Sequence, residues 1–219
     1  LQPFGFYQPI IKSTLEQPDN TRHGWRARYA VDTGQPVPIS DVHIALKGPG
    51  AASIELNMLL DAFPLQENDI LDHRQYESAK RNLLAQLLDR GYLDAKYTQH
   101  TVEVDMAAYT ASINLELVTG AQYIYGPVSF APSPFASEYL RDYLLLQPGQ
   151  PYRPAALAKQ RTALSKSGHF SEVVISPGPT AGRGDTAIPV DIALTPVKPN
   201  RYRGRVGWGT DYGLGAQLD

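Results

Sequence analysis

At 219 residues the chain is long enough for two or three small domains, and 42% apolar residues can supply a core for each. A net charge of −2 without a long basic run argues against a nucleic-acid partner and against an anionic lipid surface. The absence of cysteine excludes thiol catalysis, thiolate metal sites and disulfides, and it fits an oxidising compartment.

No segment of the sequence has the length and apolarity of a transmembrane helix, so none is expected. The first residues, 1–7, have neither the basic nor the apolar region of a signal peptide, and they lack an initiator methionine. We therefore expect a fragment or a processed chain.

We expect residues 1–36 to contain only the C-terminal part of a structural unit. A glycine followed by an aromatic residue, Gly5-Phe6, precedes two strand-like segments, 8–16 and 25–31, which we expect to form a hairpin.

The middle of the chain contains a complete unit, predicted over residues 37–119. The pattern indicates a strand over 37–46, a short helix over 51–63 and a long amphipathic helix over 73–90 that Asp72 caps. Gly91 follows this helix, where a left-handed C-cap favours glycine. Two β-rich segments, 93–105 and 108–119, complete the order β-α-α-β-β.

A second unit repeats that order over residues 120–199. Its predicted strands and helices cover residues 123–130, 134–146, 154–166, 172–176 and 188–195. Placing Gly34 on Gly120 aligns Val42 with Val128, an offset of 86 residues, and the same offset places Gly5 on Gly91. A single register that links separate landmarks indicates duplication.

The last segment, residues 200–219, has a different pattern. Large and small residues alternate over 201–213, which is typical of a transmembrane β-barrel strand. We expect this strand to have no partner within the chain. The side chains that define its apolar face are Tyr202, Val206, Trp208 and Thr210.

These features resemble POTRA domains, which in tandem and followed by a barrel define the Omp85 superfamily. The residues that carry the resemblance lie at Gly5–Pro9, Arg90–Asp94, Ser167–Val174 and Val206–Gly213. The last of these, with its Thr210-Asp211 pair, is similar to the first barrel strand of the TamA family. The resemblance assigns structural roles to Gly5, Gly91, Tyr92, Gly168 and Phe170, although His169 displaces the third aromatic residue by one place.

The resemblance implies an α+β fold of tandem POTRA modules, each a three-stranded sheet with two helices on one face. It implies the periplasmic arm of an outer-membrane protein that inserts or secretes outer-membrane proteins, autotransporters among them, in a Gram-negative bacterium. The implied partners are a TamB-like inner-membrane-anchored protein, unfolded outer-membrane proteins, and the outer membrane through the barrel.

The edge of such a sheet can add a strand from another polypeptide, since its backbone N–H and C=O groups are unpaired on one side. In the family, the second strand of each module is the exposed edge. The candidate residues for strand addition are therefore Tyr97, Thr98, His100, Val102, Val104, Val173 and Ile175. The alternative for each residue is an ordinary core or solvent-facing position.

Two other classes of function stay open. One is another POTRA protein, such as the main barrel-assembly subunit or a two-partner secretion transporter. The other is a periplasmic enzyme or ligand-binding protein, but none of the five histidines has a partner at metal-ligand spacing and no nucleophile or nucleotide motif is present. We therefore predict no catalytic residue, no metal site and no cofactor.

Overall fold

The computed structural model describes residues 1–17, 24–180, 182, 184–197, 204–209 and 213–218, the last two ranges for their backbone only. The chain forms two compact units. Unit 1 comprises residues 1–123 and 151–153, and unit 2 comprises residues 124–150 and 154–219. None of the helices in the described part of the chain is both long and apolar enough to cross a membrane.

Unit 1 begins with the predicted hairpin. Strands β1 (Ile10–Glu16) and β2 (Arg26–Asp32) pair antiparallel and form a two-stranded sheet. Nearly every residue of both strands is exposed. The hairpin therefore lacks, among the described residues, the helices that would cover one of its faces.

The rest of unit 1 has the predicted order β-α-α-β-β. Its elements are β3 (Ile39–Lys47), α1 (Ile54–Asp61), α2 (His73–Asp89), β4 (Lys96–Asp105) and β5 (Thr110–Val118). The sheet order is β3-β5-β4, with β5 parallel to β3 and antiparallel to β4. Alternate residues of β5 are buried, because one face of the sheet packs on the helices.

The long helix α2 forms where the apolar period predicts it. Tyr76, Leu83 and Leu87 are buried on one face, in the same core cluster as Ile113 and Leu115 of β5. The predicted cap is confirmed: the Asp72 carboxylate accepts hydrogen bonds from the backbone N–H groups of Arg74 (2.8 Å) and Gln75 (3.2 Å).

The predicted helix over 51–63 is wrong in extent. Residues Pro49–Ala52 form a 3-10 turn, and α1 begins only after Ser53, whose hydroxyl accepts a hydrogen bond from the Leu56 N–H (3.4 Å). Gly50 is buried against Tyr92 and Thr119, so close that a Cβ would lie 2.8 Å from the Tyr92 ring. The serine cap and this close approach separate the turn from the helix.

Two junctions with the same hydrogen bonds confirm the predicted register. The Gly5 C=O accepts from the Val37 N–H (2.9 Å), and 86 residues later the Gly91 C=O accepts from the Tyr123 N–H (2.7 Å). The C=O groups of Val37 and Tyr123 accept in turn, from the N–H groups of the residues that lie just before the caps of the second helices. These donors are Leu71 (3.0 Å) and Tyr152 (2.8 Å).

Both junction glycines have left-handed backbone conformations, with φ of +84° at Gly5 and +89° at Gly91. A Cβ at Gly91 would lie 2.8 Å from the carbonyl oxygens of both Tyr123 and Tyr152. Neither oxygen can move freely, because both belong to the backbone of the junction. Glycine is therefore required here by conformation and by space.

Unit 2 repeats the fold. Its elements are β6 (Ile124–Phe130), α3 (Ser137–Arg141), α4 (Pro154–Lys166), β7 (Phe170–Pro177) and β8 (Ala187–Pro196), and the sheet order is β6-β8-β7. The bounds of α4 are those predicted. The sheet topology confirms two POTRA-like modules, whereas the predicted domain limits at residues 36, 119 and 199 stay predictions.

Helix α3 is much shorter than the predicted segment 134–146. The side chain of Gln160, fully buried on α4, accepts a hydrogen bond from the Leu145 N–H (2.6 Å) and donates one to the Tyr143 C=O (2.9 Å). These bonds satisfy backbone groups that a longer helix would pair within itself. The pattern of apolar residues does not reveal that the Gln160 side chain takes the place of hydrogen bonds within the helix.

The terminal segment does have a partner in the chain, so the prediction of an unpaired strand is wrong. Strand β9 (Gly204–Gly209) pairs antiparallel with β10 (Gly213–Leu218). Both strands carry repeated glycines, and three residues separate them, enough for a hairpin connection. Of the predicted barrel-face residues, Val206 and Trp208 lie in β9, while Tyr202, Thr210 and Asp211 lie outside the described residues.

We predict that Gly91→Ala destabilises the protein more than Gly149→Ala. Both glycines have φ near +85°, so both alanines cost about 1 kcal/mol of backbone strain, but among the described residues nothing lies within 4 Å of a Cβ at Gly149. The clash at Gly91 should raise the loss to about 3 kcal/mol. Urea unfolding of both variants measures the difference, and equal losses would contradict a requirement for space at Gly91.

We also predict that the Asp72 cap weakens at acid pH. The hydrogen bond from the Arg74 side chain is the main reason that the pKa of Asp72 is lowered. A carboxylate whose pKa is lowered in the folded state stabilises it above the unfolded-state pKa, about 3.9, and this contribution is lost as the pH falls through the folded-state value. Urea unfolding should be measured from pH 7 down to pH values below the folded-state pKa of Asp72. The free energy of unfolding should fall more steeply with decreasing pH in the wild type than in Asp72→Asn. The asparagine keeps a capping oxygen without the charge, and parallel pH profiles would refute the prediction.

Candidate strand-addition edges

Strands β4 and β7 occupy the same place in the two modules. Each pairs with the central strand of its sheet, β4 with β5 and β7 with β8, and no described strand pairs with its other side. Backbone groups along these outer sides are therefore available to an added strand. We call these two strands the second-strand edges.

Three of the candidates on β4 contribute their side chains to the core. Tyr97, Val102 and Val104 are half-buried and pack against the core cluster of unit 1. The Tyr97 hydroxyl donates a hydrogen bond to the Lys80 C=O of α2 (2.8 Å), and burial raises the pKa of this tyrosine. These three side chains pack at the core, so an added strand would use only their backbone.

The other two candidates on β4 are exposed. The Thr98 hydroxyl donates to the Glu116 carboxylate on the neighbouring strand (2.7 Å), while the His100 ring lies edge-on to Tyr97, with ring centres 6.1 Å apart. Both side chains are accessible to a polypeptide that lies along β4.

The edge of unit 2 differs from the prediction in which side chain it exposes. Ile175 is buried in the core and Val173 is half-buried, because both lie opposite core residues of β8, Ile192 and Leu194. Val174, on the other face, is 43% exposed. The period-two pattern alone could have indicated Val174, since it lies between two core-facing residues.

Each second-strand edge begins with an irregularity that the sequence did not reveal. The register shifts between Tyr97 and Gln99 in β4, and between Phe170 and Glu172 in β7. Such bulges locally increase the twist of a strand and interrupt its ladder. An added strand is therefore expected to pair with the residues after the shift.

The open face of the unit 1 sheet is polar where β3 ends. Lys47 forms an ion pair with Glu116, which also accepts from Thr98, so the three strands are joined side chain to side chain. The hydrogen bond from Lys47 is the largest cause of the lowered pKa of Glu116. Among the described residues of β3, β4 and β5, this face presents no apolar stripe to a partner, so the edges of the sheet are the more accessible feature.

The predicted structural aromatic residues are both buried, Tyr92 in unit 1 and Phe170 in unit 2, and Gly168 shares the left-handed conformation of Gly5 and Gly91. His23 lies outside the described residues. The other four histidines are separate, and no group of three or more potential ligands among the described side chains could hold a metal ion.

Comparison with known proteins finds a family model that matches the middle segment. The sequence model of the POTRA family, described as "Surface antigen variable number repeat", matches residues 39–120. This match covers β3 to β5 and the residues that follow β5.

Solved structures that are similar to this chain include three POTRA-containing proteins. The POTRA3-5 segment of BamA from Haemophilus influenzae is 22% identical, with a TM-score of 0.48, over 88% of this chain and 74% of that one. BamA from Haemophilus ducreyi lacking POTRA domains 1-3 is 22% identical, with a TM-score of 0.53, over 83% of this chain and 33% of that one. POTRA1-3 of Omp85 from Anabaena is 18% identical, with a TM-score of 0.40, over 90% of this chain and 78% of that one.

The likeness to BamA from Haemophilus ducreyi supports the fold of this chain, but it supports neither an activity nor a partner. This chain spans 33% of the length of the Haemophilus ducreyi protein, so activities of that whole protein do not transfer with the fold.

We predict that loss of the hydroxyl has different effects on the stability of the protein at two neighbouring tyrosines. The Tyr76 hydroxyl is buried without a hydrogen-bond partner among the described residues, and burial raises its pKa to about 12. Tyr76→Phe should therefore leave stability unchanged or raise it by up to about 1 kcal/mol, whereas Tyr97→Phe should cost about 1 kcal/mol. Thermal unfolding tests this, and a clear loss in Tyr76→Phe would show that its hydroxyl is satisfied.

Proposed function

We propose that this chain is a periplasmic arm that binds and docks polypeptides, because residues 39–120 match the POTRA family model and unit 2 repeats the topology of that segment. The arm would belong to an outer-membrane protein of a Gram-negative bacterium that inserts or secretes outer-membrane proteins, autotransporters among them. The observation that carries the proposal recurs in both modules: no described strand pairs with the outer side of β4 or of β7.

The physical basis is main-chain hydrogen bonding. An unfolded barrel protein is a series of strand-forming segments that lack partners, and an edge strand supplies N–H and C=O groups with little demand on sequence. The binding chemistry then requires no reactive side chain, which agrees with the expectation of a non-enzymatic role.

The hairpin β1–β2 supports the proposal that residues 1–36 are the C-terminal part of a further POTRA domain. Ile11 pairs with Val31, and the offset of 86 places them on Tyr97 and Leu117, which pair in β4 and β5 and face the helices. On the hairpin this face is exposed: Ile11 is 58% accessible and Val31 is 49% accessible. An apolar face of this kind is covered in a complete module.

We assign residues 200–219 to the start of the barrel, and the whole protein to a TamA-like member with a TamB-like partner. The support is the segment Gly207-Trp208-Gly209-Thr210-Asp211, whose glycine spacing and Thr-Asp pair resemble that family. The repeated glycines of β9 and β10 are compatible with small residues on the inner face of a barrel.

Site-specific photo-crosslinking in cells tests the proposal. A photoreactive residue at Thr98 or His100 in β4, or at Glu172 or Val174 in β7, should capture nascent outer-membrane proteins or a TamB-like protein. The matched control is Asn114, on the central strand β5, where strand addition is impossible because both sides are paired. Equal capture at Asn114, or no capture of either class from either edge, would refute the docking role.

A further inference from the structure

A groove on the opposite edge of the unit 1 sheet is not explained by the second-strand edges. It lies between β3 and α1 and has a volume of about 430 Å³. Half-buried aliphatic side chains line it: Val42 and Ile44 from β3, and Leu60 from α1. We call it the β3–α1 groove.

The backbone beside this groove has unpaired groups. The Lys47 C=O accepts a hydrogen bond from the Thr119 N–H (3.0 Å), which shows that Lys47 faces β5. Because backbone direction alternates along a strand, Val42, Ile44 and Leu46 point their N–H and C=O groups away from β5. Among the described residues, no backbone group bonds to them there.

The open stretch has a defined beginning. At the start of β3 the outer side is already occupied, since Ile39 exchanges hydrogen bonds with the loop at Asn68 and Asp69 (both 2.8 Å). An added strand can therefore pair only with the part of β3 after this point. Its side chains on the helix side would then enter the β3–α1 groove.

The charge of the groove restricts what can bind. Asp61 and Glu67 line it and are exposed, no lysine or arginine is among its lining residues, and neither carboxylate forms an ion pair with a described residue. Their negative potential, next to an aliphatic surface, favours cationic side chains in a bound segment. The β4 edge, in contrast, carries both Lys96 and Glu103.

We propose that the β3–α1 groove binds an extended polypeptide segment that alternates aliphatic residues with lysine or arginine. The backbone of the segment pairs with β3, its aliphatic side chains contact Val42, Ile44 and Leu60, and its cations approach Asp61 and Glu67. This inference rests on the proposed function and adds a second edge of the same sheet, one that selects by charge.

Two fluorescent peptides of equal length test the proposal with the full chain: one alternates valine and lysine, and the other alternates valine and glutamate. Fluorescence anisotropy at low salt should show about five-fold tighter binding of the lysine peptide. The double variant Asp61→Asn/Glu67→Gln should abolish this preference. The matched control, Glu103→Gln/Glu172→Gln, removes two exposed carboxylates from the second-strand edges and should keep it.

A photoreactive group in the lysine peptide then locates the site. Crosslinks to β3 or α1 support the proposal, whereas crosslinks confined to β4 or β7 would overturn it and leave the proposed function intact. Failure of both peptides to bind at any edge would count against both. An unchanged preference in Asp61→Asn/Glu67→Gln, or a dimer of this chain held through the groove, would also overturn the proposal.

Discussion

The left-handed glycine that follows a long helix fixes much of this architecture. Gly91 follows α2 with a left-handed backbone, and its carbonyl accepts the N–H of Tyr123. Tyr123 then accepts the N–H of Tyr152, so one residue without a side chain ties together three distant parts of the sequence. Gly5 does the same with Val37 and Leu71. The duplication is therefore conserved in its backbone bonds, although the side chains at these positions differ between the two copies.

In modules with this architecture, the surfaces available for binding are those that expose backbone N–H and C=O groups. The apolar side chains of β4 and β7 that face the helices are committed to the cores, and the polar face of the unit 1 sheet is joined by Lys47, Glu116 and Thr98. The outer sides of the strands remain. Recognition at such edges depends little on side chains, so selectivity has to come from neighbouring charges, the role that we propose for Asp61 and Glu67 beside β3.

The elements with strong periodicity could be predicted from the sequence, and those set by a single tertiary contact could not. Helices α2 and α4 follow from their apolar spacing, and α2 also from its Asp72 cap. The short α3 depends on the buried amide of Gln160, which binds backbone 15 residues away, and the register shifts in β4 and β7 leave no mark in composition. The candidate edge strands were predicted from the resemblance. Alternation could have indicated Val174 as the exposed residue of β7, but the register shift in β4 prevents alternation alone from deciding which side chains of that strand enter the core. The pairing of β9 with β10 was missed because half of the residues of the second strand are small: Gly213, Gly215 and Ala216.

Residues 151–153 belong to unit 1, although the residues before them, 124–150, belong to unit 2. This arrangement affects the order in which unit 1 can fold. Tyr152 supplies the N–H that binds Tyr123 and a carbonyl that encloses Gly91, yet 27 residues of unit 2, residues 124–150, lie between Tyr123 and Pro151. During synthesis from the N-terminus, the sheet β3-β5-β4 can close as soon as β5 has emerged, but its junction stays incomplete until this later stretch arrives. A fragment cut after Tyr123 would keep every strand of that sheet and still leave Gly91 without its Tyr152 neighbour. The boundary of unit 1 is thus discontinuous along the sequence.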